Sequence, residues 1–125
     1  MSAPRRVPEF PMVDEPGHFD ALTLMAATIF LEAEGEPPEG QRAVAWVIRH
    51  RVDDWKLSMH QAILGPEGRV HGDQKPYEPF SCWSDDAIVR TRARLDTATD
   101  ATAEPCWRAA AGALWRLEPD PVPGA

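Results

Sequence analysis

The chain is short of several things, and each shortage excludes something. Of its 125 residues only two are cysteine, Cys82 and Cys106, too few for a disulfide framework. Both are expected as small, buried, reduced thiols. Neither belongs to a CxxC pair, and His18, His50, His60 and His71 show no HExxH or other compact ligand spacing. No metal and no cofactor is therefore expected. Basic charge is scarce as well: 13 Lys and Arg against 20 Asp and Glu leave a net charge of -7. That balance repels polyanions and argues against nucleic acid or an anionic membrane as partner. The arginines at 90, 92 and 94 form a local basic run, but their alternate spacing spreads them around a helix as a solvated face. A long hydrophobic run is missing too, since ALTLMAATIFL is too short for a bilayer and ends in a glutamate. The opening MSAPRRVPEFPMVDEPGHFD has no apolar core leading to a small-residue cleavage site, so no standard secretory signal is expected. The reading is a protein kept soluble in the cytoplasm, one that needs release by something else if it works outside.

What is present is enough apolar material for one core, with 43% hydrophobic residues and five tryptophans. One domain over residues 17–125 is expected, preceded by an extended arm over residues 1–16, whose four prolines lay it on the surface or leave it disordered. Leu22, Met25, Ala26 and Ile29 recur at helical spacing after Asp20, and Gly35 with Pro37 and Pro38 ends that helix. Pro38 suits the first position of a second helix, in which RAVAWVIRHRV is apolar on most sides, as expected of a helix through the middle of a small domain. Ser58 caps a short helix through Leu64, and Ser84 caps another from Asp85 to about Leu95. A last helix is expected from about Pro105 to Leu117, with Trp107, Ala110, Leu114 and Leu117 on one face. Between residues 65 and 83 the spacing predicts a long loop or weak hairpin carrying Tyr77, Phe80 and Trp83. The fold class is thus mainly α, passing to α+β if that loop pairs as a short β element.

Chemistry is concentrated where four acids fall within eight positions, FLEAEGEPPE. Glu32 lies seven residues after Met25 and three after Ile29, which sets it on the apolar stripe of the first helix, while Glu34 is turned away. A carboxyl at the end of an apolar stripe is partly desolvated, holds its proton more readily, and can serve as a general acid. A helix that simply ends in solvated acids is the competing reading, and periodicity does not decide between them.

The residues themselves resemble a family. Glu32-Ala33-Glu34-Gly35-Glu36, then Glu39-Gly40-Gln41, then AVAWVI and Arg51-Val52, look like the signature of the SleB-type cell wall hydrolases, which include spore cortex-lytic enzymes and phage-associated lysins. That family typically reads GEARGE, EGQ, AVA and a closing NRV; here Leu31 replaces the first glycine, Glu34 the arginine and His50 the asparagine. Phe80-Ser81-Cys82-Trp83 resembles its QFSCW segment, with Pro79 for glutamine, and Asp120-Pro121 with Gly124-Ala125 resembles its DP..GA stretch. The resemblance implies a small lysozyme-like helical domain that cleaves peptidoglycan glycan strands between N-acetylmuramic acid and N-acetylglucosamine. It implies Glu32 as the single catalytic residue of a lytic transglycosylase. Hydrolysis would require a second carboxylate, roughly 5 Å away for retention or 6.5 to 9.5 Å for inversion. Glu36, Asp85 and Asp86 are the candidates, and no motif places one of them opposite Glu32.

In this light Tyr77 and Trp83 are expected to offer flat faces to pyranose rings, and Ser81 and Gln41 hydrogen bonds to hydroxyls and acetamides. Core packing is the competing account of the aromatics, and the favoured one for Phe80. Glu36 and Glu39 are expected to brace the hinge and the first turn of the second helix. Two other readings stay open: a non-catalytic glycan-binding or structural component of a phage or phage-like particle, with other virion proteins as partners, and an N-acetylmuramoyl-L-alanine amidase. The family's DP..GA stretch continues into a segment with threonine, histidine and tyrosine. A chain closing at Ala125 implies a site open on that side, one completed by another polypeptide, or one without activity.

Overall fold

In the computed structural model, residues 8–10, 19–65, 80–83 and 87–117 are described. They form α1 (Ala21–Ala33), α2 (Pro38–Trp55), α3 (Met59–Leu64), a 3-10 turn (Ser81–Trp83), α4 (Ile88–Leu95) and α5 (Asp100–Leu114). The protein is mainly α-helical, and no strand occurs among the described residues. The loop expected to pair as a hairpin lies outside them over residues 66–79. No helix among the described residues is long and apolar enough to cross a membrane.

Asp20 starts α1: its backbone is extended and its side chain accepts the Thr23 N–H at 2.8 Å. Every residue from Leu24 to Leu31 is buried, so α1 is the axis of the domain, and α2, α3, α4 and α5 all pack against it. This reverses the sequence expectation, which put α2 in the middle. The reason is charge. Glu32 is the only ionisable residue in α1, whereas α2 carries Arg42, Arg49, His50, Arg51, Asp53 and Asp54, which have to reach solvent. α2 buries only Gln41, Ala45, Trp46 and Ile48 and leaves Val47 41% exposed.

α3 forms where expected, with Ser58 and Gln61 closing a reciprocal capping box. α5 begins at Asp100, five residues before the expected start at Pro105. Thr99 and Thr102 form a second capping box, and the helix accepts a proline in its interior. Pro105 has no N–H, so the Ala101 carbonyl receives none from residue 105, a loss that the strong cap and a buried apolar face outweigh. α5 also stops at Leu114, before the expected Leu117. Arg116 takes a left-handed φ of 54° while Leu117 N–H bonds back to Gly112 O at 2.8 Å, closing the end as a Schellman motif. Leu117 is consequently 71% exposed and not on the apolar face. α4 starts at Ile88, after Ala87, which makes no side-chain cap bond; Ser84, expected to cap it from Asp85, lies outside the described residues.

The N-terminal arm is not simply laid on the surface. Phe10 is buried, its ring 5.5 Å from Phe30 and stacked on Trp107 at 5.4 Å. An aromatic ring offers enough apolar area to draw in a chain that its prolines otherwise keep extended.

Candidate active site

The C-terminal end of α1 leaves carbonyls without intrahelical donors, and side chains from two other helices supply them. Arg94 of α4 donates to Leu31 O at 2.8 Å and to Glu34 Oε1 at 3.2 Å. Gln41 of α2 donates through Nε2 to Ala33 O at 3.2 Å. Helix end and acidic hinge are thereby fixed between α2 and α4. Glu34, expected to turn away from the apolar stripe, pairs with Arg94, while Glu32 adjoins Cys82.

Glu32 itself is exposed. Of the two readings open for it, partial desolvation on the stripe of Met25 and Ile29 or a solvated helix end, the structure shows the solvated one. Leu31 and Ala33 on either side of it are buried, so in the last turn of α1 the buried face no longer includes position 32. Its neighbour is Cys82, 50 residues on in the chain. Burial pushes the Cys82 thiol up to about 12, and the charge and hydrogen bond of the adjacent Glu32 carboxylate push the same way. The thiol therefore stays protonated at neutral pH and cannot attack as a thiolate. It stands beside the Glu32 carboxylate as an uncharged neighbour. Cys106 is likewise pushed up to about 12 by burial, with the Glu34 charge adding to it. Both cysteines are free thiols.

The turn that carries Cys82 is held on three sides. Phe80 N–H bonds to Ile63 O at 3.0 Å, the Thr91 hydroxyl donates to Cys82 O, and the Trp83 indole N–H donates to Thr28 Oγ1 at 2.9 Å. Trp83, expected in the cleft wall, is instead buried in the core, edge-on to Phe19 at 5.8 Å. Phe80 is half-buried with the Arg51 guanidinium 4.8 Å above its ring. Gln41, expected to meet sugar, is 3% exposed and spends its amide on Ala33; its Oε1 is buried and has no partner among the described residues. Glu36 and Glu39 are exposed. Glu36 lies across Gly40, where a Cβ would come within 3.2 Å of the Glu36 Cβ, and Glu39 occupies the first turn of α2. Tyr77 and the Ser81 side chain, as well as Asp85 and Asp86, lie outside the described residues.

Arg94 was missed by sequence reasoning, which read it as part of a solvated basic face. Its partners lie 60 or more residues away, and no local pattern encodes them. No group of three or more His, Cys, Asp or Glu side chains is placed to hold a metal ion among the described residues. Comparison with protein families, curated proteins and solved structures finds no match to this chain.

Proposed function

We propose that the protein cleaves the glycan strand of peptidoglycan between N-acetylmuramic acid and N-acetylglucosamine, as a lytic transglycosylase resembling the SleB-type cell wall hydrolases, with Glu32 as its acid and base. One observation carries the reading. Glu32 of the EAEGE segment and Cys82 of the FSCW segment, which bear the two most distinctive parts of the resemblance, stand side by side although 50 residues separate them. The carboxyl at that junction is exposed, so a substrate can reach it.

In this mechanism the acid form of Glu32 gives its proton to the bridging oxygen as the bond from muramic acid C1 breaks. The 6-hydroxyl of the same sugar then closes on C1 and returns its proton to the carboxylate. The products are a 1,6-anhydromuramic end and a free N-acetylglucosamine 4-hydroxyl, with no water consumed and Glu32 restored. A glycan strand lying over Glu32 excludes water and supplies a desolvation that the free protein lacks. The protein meets its substrate after release from the cytoplasm or as part of a virion.

The test is mass spectrometry of fragments released from purified peptidoglycan. Anhydromuramic ends support the proposal, reducing ends point to hydrolysis, and free stem peptides point to an amidase. Withdrawal of Trp83 and Gln41 from the surface favours a second reading, a structural relative in a phage-like particle. Intact peptidoglycan after prolonged incubation is the outcome that supports it.

A further inference from the structure

α1 ends differently from α2 and α5. Those two close on residues of left-handed φ, Lys56 and Arg116, and the turns so formed return backbone N–H groups to the last helical carbonyls. α1 has no such closure: Glu34 stays right-handed, Gly35 has no positive φ, and no basic residue stands in the last turn to meet the negative end of the helix dipole. The cation comes from α4 instead. Arg94 donates at 2.8 Å to Leu31 O, the carbonyl next to Glu32, and at 3.2 Å to Glu34. One turn earlier on the same side of α4, the buried Thr91 donates its hydroxyl to Cys82 O, in the turn that bears the FSCW segment.

We infer that Arg94 and Thr91 are positioning residues, which together clamp the end of α1, and with it Glu32, against the turn that holds Cys82. The catalytic part of this inference rests on the glycan-cleaving reading above. Neither residue has to touch sugar. The guanidinium is a rigid fork of N–H donors, so it holds the Leu31 carbonyl and the Glu34 carboxylate at once, and its charge makes each bond stronger than a neutral one. Without it the last turn of α1, whose carbonyls have no left-handed closure to return to, is free to fray. A reacting group displaced by about 1 Å can lose on the order of 10²-fold in rate, so a side chain that never meets the substrate can still govern the step.

The test follows Arg94→Met, Arg94→Lys and Thr91→Val in the whole protein, first without substrate. The two cysteines are the reporters: Cys82 lies within the clamp and Cys106 outside it on α5, and burial holds both thiols protonated, so both react slowly. With iodoacetamide at about pH 8 and the labelled peptides counted by mass spectrometry, Arg94→Met and Thr91→Val are each expected to speed labelling of Cys82 at least about tenfold, while Cys106 keeps its wild-type rate. Arg94→Lys still has a donor for Leu31 O and is expected to stay within about threefold of the wild type. Equal rises at both cysteines, the mark of global unfolding, or no rise at Cys82 overturn the clamp. The second arm is cleavage of soluble glycan fragments. Arg94→Met is expected to lower kcat at least about tenfold with KM within about twofold, and Arg94→Lys to restore most of that loss. An unchanged kcat beside a selective rise at Cys82, or a loss that falls on KM alone, overturns the positioning role. If the wild type cuts no glycan, the cleavage reading fails and the clamp stands or falls on the labelling alone.

Discussion

α1 and α2 meet at one acidic hinge and are both rich in apolar residues, yet one is the axis of the domain and the other half of its wall. α1 buries every residue from Leu24 to Leu31, while α2 keeps a charged face and leaves Val47 and Trp55 exposed. The difference shows that the number of apolar residues does not decide which helix goes to the centre. The absence of charge does, because each buried ionic group must be paired or neutralised and α2 carries too many. The sharpest way to break the comparison is truncation in each helix. Ile29→Ala should cost about 3 kcal/mol or more in urea unfolding, and Val47→Ala no more than about 0.5. Similar losses at the two sites would mean that α2 shares the centre after all.

The next contrast lies within the hinge, between two glutamates two residues apart. Glu32 is exposed beside Cys82, and Glu34 is bound by Arg94. Glu32→Gln should lower release of anhydromuramic fragments by at least about 10²-fold and leave stability within about 0.5 kcal/mol, because the carboxylate is solvated in the free protein. Glu34→Gln should leave cleavage within about twofold and cost no more than about 1 kcal/mol, the range of an exposed ion pair. Equal cleavage by the two variants would remove Glu32 from its role.

The readable and unreadable parts of the fold divide along physical lines. The helix over Ala21–Ala33, the start of α2 at Pro38 and the capped helix after Ser58 follow from local chemistry, and local chemistry is what a sequence displays. The early start of α5 was hidden because Pro105 is the conspicuous signal there, and the Thr99 cap that overrides it is a quieter one. At the site, Glu32 was singled out by its place in the α1 pattern and by motif resemblance, and no expectation set Cys82 beside it. Arg94 on Leu31 and Trp83 on Thr28 are contacts across 63 and 55 residues, which no short-range pattern records.

Trp83 provides a smaller test of core against cleft. Trp83→Phe keeps an aromatic ring but removes the N–H that Thr28 accepts, at an expected cost of about 1–3 kcal/mol in urea unfolding. Cleavage per folded molecule should not change. A selective loss of glycan binding at unchanged stability would return Trp83 to the cleft wall.

The smallest expected effect concerns the far end of α2. Asp53 accepts from Arg116 at 2.6 Å and pairs with Arg49 at 3.3 Å, and so ties the end of α2 to the Schellman turn that closes α5. Burial alone would push the Asp53 carboxyl up, but the hydrogen bond and charge of Arg116, together with Arg49, outweigh it and hold the group below the usual carboxylate value of 3.8. A group depressed in the folded state stabilises above its unfolded pKa and loses that contribution as pH falls through its folded value. The loss therefore belongs below about pH 4, where the unfolded carboxylate takes up its proton first. Because these side chains are a third or more exposed at Asp53 and Arg116, solvent screens the pair and its worth is no more than about 1 kcal/mol. Asp53→Asn should lower stability by that amount at pH 7 in low salt, by less in high salt, and by progressively less as pH falls below about 4. A deficit that did not shrink at all as pH fell below about 4 would show that the asparagine disturbs packing between α2 and α5 rather than charge.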